Sequence, residues 1–309
     1  VRLDQNMINM IAAGEVIERP ASAVKELMEN SIDAGATRIV VAIEDGGRKL
    51  ISITDNGEGM DAEDLVAAFE SHATSKVRET ADLNRIATLG FRGEALASIA
   101  SIAQVRAVSR TARSDQAHCL EIDCGDRKPV TPCSGDVGTT IQIRDIFYKT
   151  PARRKFLRTA NTEMGHISEQ FTRIALPKGQ LDLVLIHNGR ELYHLTGNLG
   201  LRQRIGQLFP MLPADDLVET QTDEKGIRIR ALLGHPSTSR TNNRFQYAFL
   251  NGRFIRDKFI SHAIKEAYRG LLEPNRFPVA FLFIEMPYDE YDVNVHPTKH
   301  EVRFRESRA

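Results

Sequence analysis

Val24, Leu27, Met28, Ser31 and Ile32 recur at helical spacing. That spacing predicts an amphipathic helix over 21–33, with Pro20 near its start, where a missing amide proton costs nothing. Period-two alternation follows at 38–44 and 49–54, on either side of Asp45-Gly46-Gly47-Arg48, so this stretch reads as a hairpin. Asp61 is placed to cap a helix running toward Ser71. Residues 73–92 have weak periodicity and several polar side chains, the pattern of a long functional loop, and 93–102 returns to helix.

Strand-like segments come next at 104–109, 119–122 and 139–145, then a helix over 161–176 that stops at Pro177. Segments 180–187 and 190–196 flank Asn188-Gly189, a strong hairpin signal. Gly197-Asn198-Leu199-Gly200 is the best linker, which divides the chain into domains 1–199 and 200–309. Beyond it lie a short helix, a strand near 227–233, a hairpin across Asn251-Gly252, a helix capped by Asp257, and strands at 279–285 and 302–304. Both halves mix helices with hairpins. The expected class is therefore α+β, with helices on one face of a mixed sheet, rather than a parallel doubly wound fold.

Composition changes this picture little. The 309 residues are 41% hydrophobic and 27% charged, enough for two domains with cores of their own. No apolar run approaches the roughly 20 residues of a membrane span, and no secretory signal opens the chain, which begins at Val1 rather than Met. Three cysteines do not make a disulfide framework, so an intracellular, reducing setting is expected. Charge is more telling. The chain is neutral overall, but residues 225–309 hold 15 Lys and Arg against 9 Asp and Glu, a balance of +6 that leaves −6 on residues 1–224. A basic C-terminal part suits a polyanion, although a solvated surface gives the same imbalance.

Candidate chemistry gathers between 23 and 60. Glu26 and Asn30 stand four apart on one helical face with Asp33 nearby. A carboxylate there can activate water and an amide oxygen can ligate Mg²⁺, but any wet helix face looks alike. Asp55-Asn56-Gly57-Glu58-Gly59-Met60 ends a strand. Asp-Asn-Gly alone is a turn, whereas the second glycine lets backbone approach a ligand and an acceptor-only Asp55 suits the amino group of adenine. His72-Ala73-Thr74-Ser75-Lys76 and the glycines Gly90 and Gly93 bracket the long loop, offering hydroxyls, a cation and helix-start amides to phosphate. The P-loop pattern is absent. Gly138-Thr139-Thr140 opens a strand, and 149–158 is a dense basic run fit for phosphate contacts or for a solvated helix face. Zinc is set aside: His118, Cys119, Cys124 and Cys133 lack knuckle spacing, and Pro297 opposes a helical His296/His300 pair.

Glu26-x-x-x-Asn30, Asp55-x-Gly57-x-Gly59, the glycine loop and Gly138-Thr139-Thr140, in this order, resemble the GHKL ATPases, a superfamily that includes gyrase B, Hsp90, the histidine kinases and MutL. The finer wording is similar to the N-terminal region of MutL mismatch-repair proteins. It lies in Ile11-Ala12-Ala13-Gly14-Glu15-Val16-Ile17-Glu18-Arg19-Pro20, Gly90-Phe91-Arg92-Gly93-Glu94-Ala95-Leu96, Thr150-Pro151-Ala152-Arg153-Arg154-Lys155-Phe156 and Asp292-Val293-Asn294-Val295-His296-Pro297-Thr298-Lys299.

The resemblance implies a GHKL (Bergerat) sandwich followed by a ribosomal-protein-S5-like domain acting as transducer. Glu26 would be the general base and Asn30 the Mg²⁺ ligand. Asp55 would hold adenine, with room from Gly59 and support from Thr140. The loop from about His72 to Leu96 would be the ATP lid, with Thr74, Ser75, Arg92, Gly93, Glu94, Ala95 and Leu96 around the phosphates. Lys299 would reach the γ-phosphate from the second domain. ATP and Mg²⁺ are the implied ligands, and ATP binding would order the lid and close a homodimer. DNA would contact Arg153, Arg154, Arg253 and Arg256. Further implied partners are a mismatch-recognition protein, a helicase and an endonuclease, in the bacterial cytoplasm at the nucleoid, with no membrane. A nuclease site, where the family has one, lies in a C-terminal dimerisation domain, so no nuclease activity is expected of these residues. The remaining alternatives are a DNA clamp in which hydrolysis is incidental, and a GHKL protein of another branch, which the block ending at Lys299 opposes.

Overall fold

The computed structural model describes residues 17–70, 94–292 and 303–304. These fall into two compact units. The first closes at Asn198 and the second takes up at Leu199, with Arg173–Gly179 also counted in the second.

The first unit is built on a nine-stranded mixed sheet. Its strands are β1 (Arg38–Glu44), β2 (Leu50–Asp55), β3 (Gln104–Arg110), β4 (Ala117–Asp123), β5 (Asp126–Arg127), β6 (Thr131–Cys133), β7 (Gly138–Arg144), β8 (Asp182–His187) and β9 (Arg190–Leu195). Their order is β5-β4-β3-β7-β2-β1-β8-β9, with β6 beside β4. Neighbours are antiparallel except β1 and β8, whose parallel pairing joins Ile39 to Leu183 and Val41 to Leu185. Alternation sets the core face: Ile39, Val41, Ile43, Ile51, Ile53, Ile141 and Ile143 are buried. The Pro20–Asp33 helix packs against β1 and β2, and the Ala95–Ile102 helix against β3, β4 and the first helix. Pro20 stands at the helix start, as its spacing predicts, and Val24, Leu27, Met28 and Ser31 turn inward.

Both Asn-Gly signals are realised as hairpin turns with two left-handed residues, Asn188 at φ 49° and Gly189 at 76°, Asn251 at 47° and Gly252 at 79°. The expected turn at 45–48 is instead a short 3-10 segment, Asp45–Gly47. The helix capped by Asp61 runs only from Ala62 to Ala67, with Asp61 Oδ1 accepting from the Glu63 and Asp64 amides. The helix expected from 93 spans Ala95–Ile102.

The second unit carries a five-stranded sheet, β10 (Leu217–Glu224), β11 (Ile227–Gly234), β12 (Gln246–Leu250), β13 (Arg253–Ile255) and β14 (Ala280–Glu285), in the order β10-β11-β14-β12-β13. Asp257 caps the Lys258–Ala267 helix, which links β13 to β14, and β14 runs parallel to β12. Tyr247, Phe249, Phe281 and Phe283 stack across β12 and β14. A two-residue pair, β15 (Tyr291–Asp292) with β16 (Arg303–Phe304), follows β14. No described helix is long and apolar enough to cross a membrane.

Candidate active site

Antiparallel pairing brings one row of residues together at the end of the first sheet: Ile39, Asp55, Thr139, Ser109 and His118 are successive cross-strand partners. Asp55 ends β2 and is fixed on three sides. Ser31 Oγ, on the inner face of the first helix, donates to its Oδ2 at 2.7 Å. Its Oδ1 accepts from the Gly57 amide at 2.9 Å and the Thr139 amide at 3.3 Å. An ionised carboxylate has about four acceptor positions, so one remains on Oδ2 for an incoming donor.

The turn beyond Asp55 is held just as closely. Asn56 Oδ1 accepts from the amides of Thr37 and Arg38, and the Met60 amide donates to Ser109 Oγ at 2.8 Å. Gly59 has φ 70°, and a Cβ there would lie 2.0 Å from the Arg110 carbonyl oxygen. Gly138 has φ 115°, with Asp55 O 2.1 Å from where a Cβ would be. Only glycine fits either position.

Thr140 is not beside Asp55. The register sets it opposite Thr54, with the two hydroxyls 3.1 Å apart, and successive strand residues face opposite ways. Thr139 shares the face of Asp55, and its hydroxyl lies 2.8 Å from Ser109 Oγ. The threonine beside Asp55 is therefore Thr139.

Glu26 and Asn30 sit on the first helix, half-buried rather than on an open wet face. Lys25 Nζ lies 2.9 Å from Glu26 Oε1 and 2.9 Å from Glu29 Oε2. Burial alone would lower the pKa of this ammonium, but the Glu29 and Glu26 carboxylates outweigh it and hold it above the ordinary lysine value. Ser31, Lys25 and Glu29 are the residues that motif reading passed over, whereas Thr139 stood in the Gly138-Thr139-Thr140 motif without a role. Ser31 alone left a signal, a polar side chain at an inward helical position.

Among the expected phosphate contacts, Glu94, Ala95 and Leu96 are described and half-exposed. Glu94 precedes a helix that has no side-chain cap, and a helix start of this kind favours phosphate. Thr74, Ser75, Arg92, Gly93 and Lys299 lie outside the described residues. Of the expected DNA contacts, Arg153 and Arg154 belong to the first unit, Arg253 and Arg256 to the second. Arg154 and Arg256 are exposed, and the Arg256 guanidinium lies 5.9 Å from the centre of the Phe254 ring.

No group of three or more His, Cys, Asp or Glu among the described residues is arranged to hold a metal. A cation here would rely on few protein donors. Mg²⁺ has that habit, taking its other oxygens from water and phosphate, so the amide oxygen of Asn30 fits it.

Comparison with known proteins decides the family. Residues 17–131 match the model of the histidine kinase-, DNA gyrase B- and HSP90-like ATPases, and residues 205–309 match that of the DNA mismatch repair protein C-terminal domain. The DNA mismatch repair protein MutL of Pseudomonas paraeruginosa is 46% identical over 99% of this chain and 49% of its own length. That of Trichlorobacter lovleyi is 47% identical over 98% and 51%. The chain belongs to the MutL family. It spans about half the length of the MutL proteins it matches. The Aquifex aeolicus MutL ATPase domain complexed with ADP is similar in structure, with a TM-score of 0.67 and 29% identity over 88% of this chain and 93% of that one. A structure titled as the N-terminal domain of a DNA repair protein gives a TM-score of 0.80 and 26% identity over 96% and 92%. The fold is thus the GHKL sandwich followed by the S5-like α/β domain of MutL.

Proposed function

We propose that this chain binds and slowly hydrolyses ATP, with Mg²⁺, as the nucleotide-gated switch of a mismatch-repair protein. The observation that carries this reading is the fixed carboxylate of Asp55, which keeps one acceptor position on Oδ2. That position receives the amino group of adenine, whereas guanine would present a carbonyl oxygen to a carboxylate and be repelled. Gly59 and Gly138 keep the backbone around it free of side chains, and Thr139 supports it.

Glu26 is the general base that takes a proton from the attacking water. Asn30 holds Mg²⁺, which when bound offsets charge on the phosphates. The proposed contacts to the phosphates are Thr74, Ser75, Arg92, Gly93, Glu94, Ala95 and Leu96, with Lys299 of the transducer domain, residues 200–309, as the proposed contact to the γ-phosphate. Contacts made only to the triphosphate tie domain closure and homodimerisation to the nucleotide state. DNA lies along the exposed arginines, and mismatch-recognition protein, helicase and endonuclease are the partners of the whole protein, inside the cell and at the DNA.

The test is the mass of the chain in solution with and without a non-hydrolysable ATP analogue, beside turnover of Glu26→Ala. Doubling of mass with the analogue, and ATP binding without turnover in the variant, are expected. A mass that does not change removes the dimer switch, and unchanged turnover removes Glu26 as base.

A further inference from the structure

Neighbouring residues on a helix point about 100° apart, so a side-chain contact between Lys25 and Glu26 is not what helix geometry gives by default. Here the Lys25 stem curls so that its ammonium meets Glu26 Oε1 and, one turn on, Glu29 Oε2, each at 2.9 Å. The three side chains are 22%, 28% and 12% exposed. Exposed ion pairs contribute little, but partial removal from water strengthens attraction and narrows the geometries available. Two carboxylates around one ammonium leave the trio with a net charge of −1. Among the described residues, only Oε1 of Glu26 has a partner, and Oε2 is left for another donor.

We propose that Lys25 is the positioning residue of the hydrolytic site: anchored by Glu29, it grips one oxygen of Glu26 and so presents the other to the attacking water. This rests on the reading of Glu26 as general base. Both carboxylates hold the ammonium in its charged form, as the grip requires. A base that turns freely about its side-chain bonds is in the productive geometry only part of the time, and small misplacements of catalytic groups are costly.

The experiment is steady-state ATP turnover together with binding of a non-hydrolysable analogue, for Lys25→Met, Lys25→Arg and Glu29→Gln. Methionine keeps much of the stem and removes the ammonium. For Lys25→Met, kcat is expected to fall about tenfold or more, with KM and analogue affinity within about twofold of the parent. Lys25→Arg should recover most of the loss, because a guanidinium can hold both carboxylates. Glu29→Gln should lower kcat less, at unchanged KM. A Lys25→Met kcat within twofold of the parent overturns the proposal, and so does a parallel loss of kcat and analogue binding that arginine does not rescue. Should Lys25→Met not fold, Glu29→Gln decides, and an unchanged kcat there overturns the proposal. Glu26→Gln separates the two readings: persistent turnover in that variant removes the general base itself, while its loss beside normal Lys25 and Glu29 variants removes only the positioning role.

Discussion

Ser31 and Asp55 are 24 residues apart and joined by a 2.7 Å hydrogen bond that ties the first helix to the end of β2. Ser31 is buried, and its hydroxyl is spent on a carboxylate rather than on the helix backbone. A bond from a neutral donor to a charged acceptor contributes about 1.5–3 kcal/mol. Ser31→Ala should therefore weaken ATP affinity by roughly tenfold, because Asp55 loses the partner that fixes Oδ2. Calorimetric titration with the non-hydrolysable analogue reads this directly, and affinity equal to the parent would show that Asp55 is held well enough by its two amides.

Glycine at 59 and 138 has a steric reason that glycine at 35 lacks. All three have positive φ, but an added Cβ meets Arg110 O at Gly59 and Asp55 O at Gly138, and nothing within 4 Å at Gly35. Gly35→Ala should cost about 1–2 kcal/mol, the ordinary penalty of a left-handed residue. Gly59→Ala and Gly138→Ala should cost about 3 kcal/mol or more, since backbone atoms must also move. Urea unfolding of the three variants makes the comparison, and equal losses would refute the close approach.

The alkaline side of the stability curve has a definite sign. Burial raises the pKa of the Cys119 and Cys124 thiols and of the Tyr268 and Tyr291 phenols. A group raised on folding contributes stability that is complete below its unfolded pKa and lost as pH climbs through its folded one. Stability should thus hold to about pH 9 and then fall, first with the thiols and then with the phenols. Urea midpoints across pH 7 to 11 test this, and a midpoint that rises above pH 9 would contradict it. Thiol labelling gives a second check: half-exposed Cys133 should react before buried Cys119 and Cys124.

Elements marked by local chemistry were legible in the sequence. Pro20 opens its helix, Asp61 and Asp257 cap theirs, and both Asn-Gly turns form. What local pattern does not encode was missed. β10 has its first residue buried and the rest exposed, because as an edge strand it depends on pairing with β11 and leaves no alternation to read. The parallel pairing of β1 with β8 joins residues 144 positions apart, as Arg38 with Asp182. The same limit governs the site. Gly138-Thr139-Thr140 marks the strand, but which threonine stands beside Asp55 is a matter of pleat parity, and only the register with β2 decides it. Lys25 went unread because adjacent helix residues do not ordinarily touch.

DNA binding should separate Arg154 from Arg256. Arg154 is exposed, in a short helix that ends in consecutive basic residues and has no acidic first turn. Arg256 is exposed as well, but its guanidinium lies near the face of Phe254, a ring that also meets the Arg173 guanidinium at 4.2 Å. A contact to phosphate made by a solvated arginine acts through charge alone, so losing it weakens all sequences alike and lowers the salt dependence. Arg154→Gln should therefore reduce the slope of log affinity against log salt by about 1 and leave folding unchanged. Arg256→Gln removes a cation from an aromatic face as well, and should also lower stability by about 0.5–1 kcal/mol. Fluorescence anisotropy with one DNA at several salt concentrations, beside urea melts of both variants, distinguishes the two. A slope unchanged in Arg154→Gln would take that residue out of the DNA path.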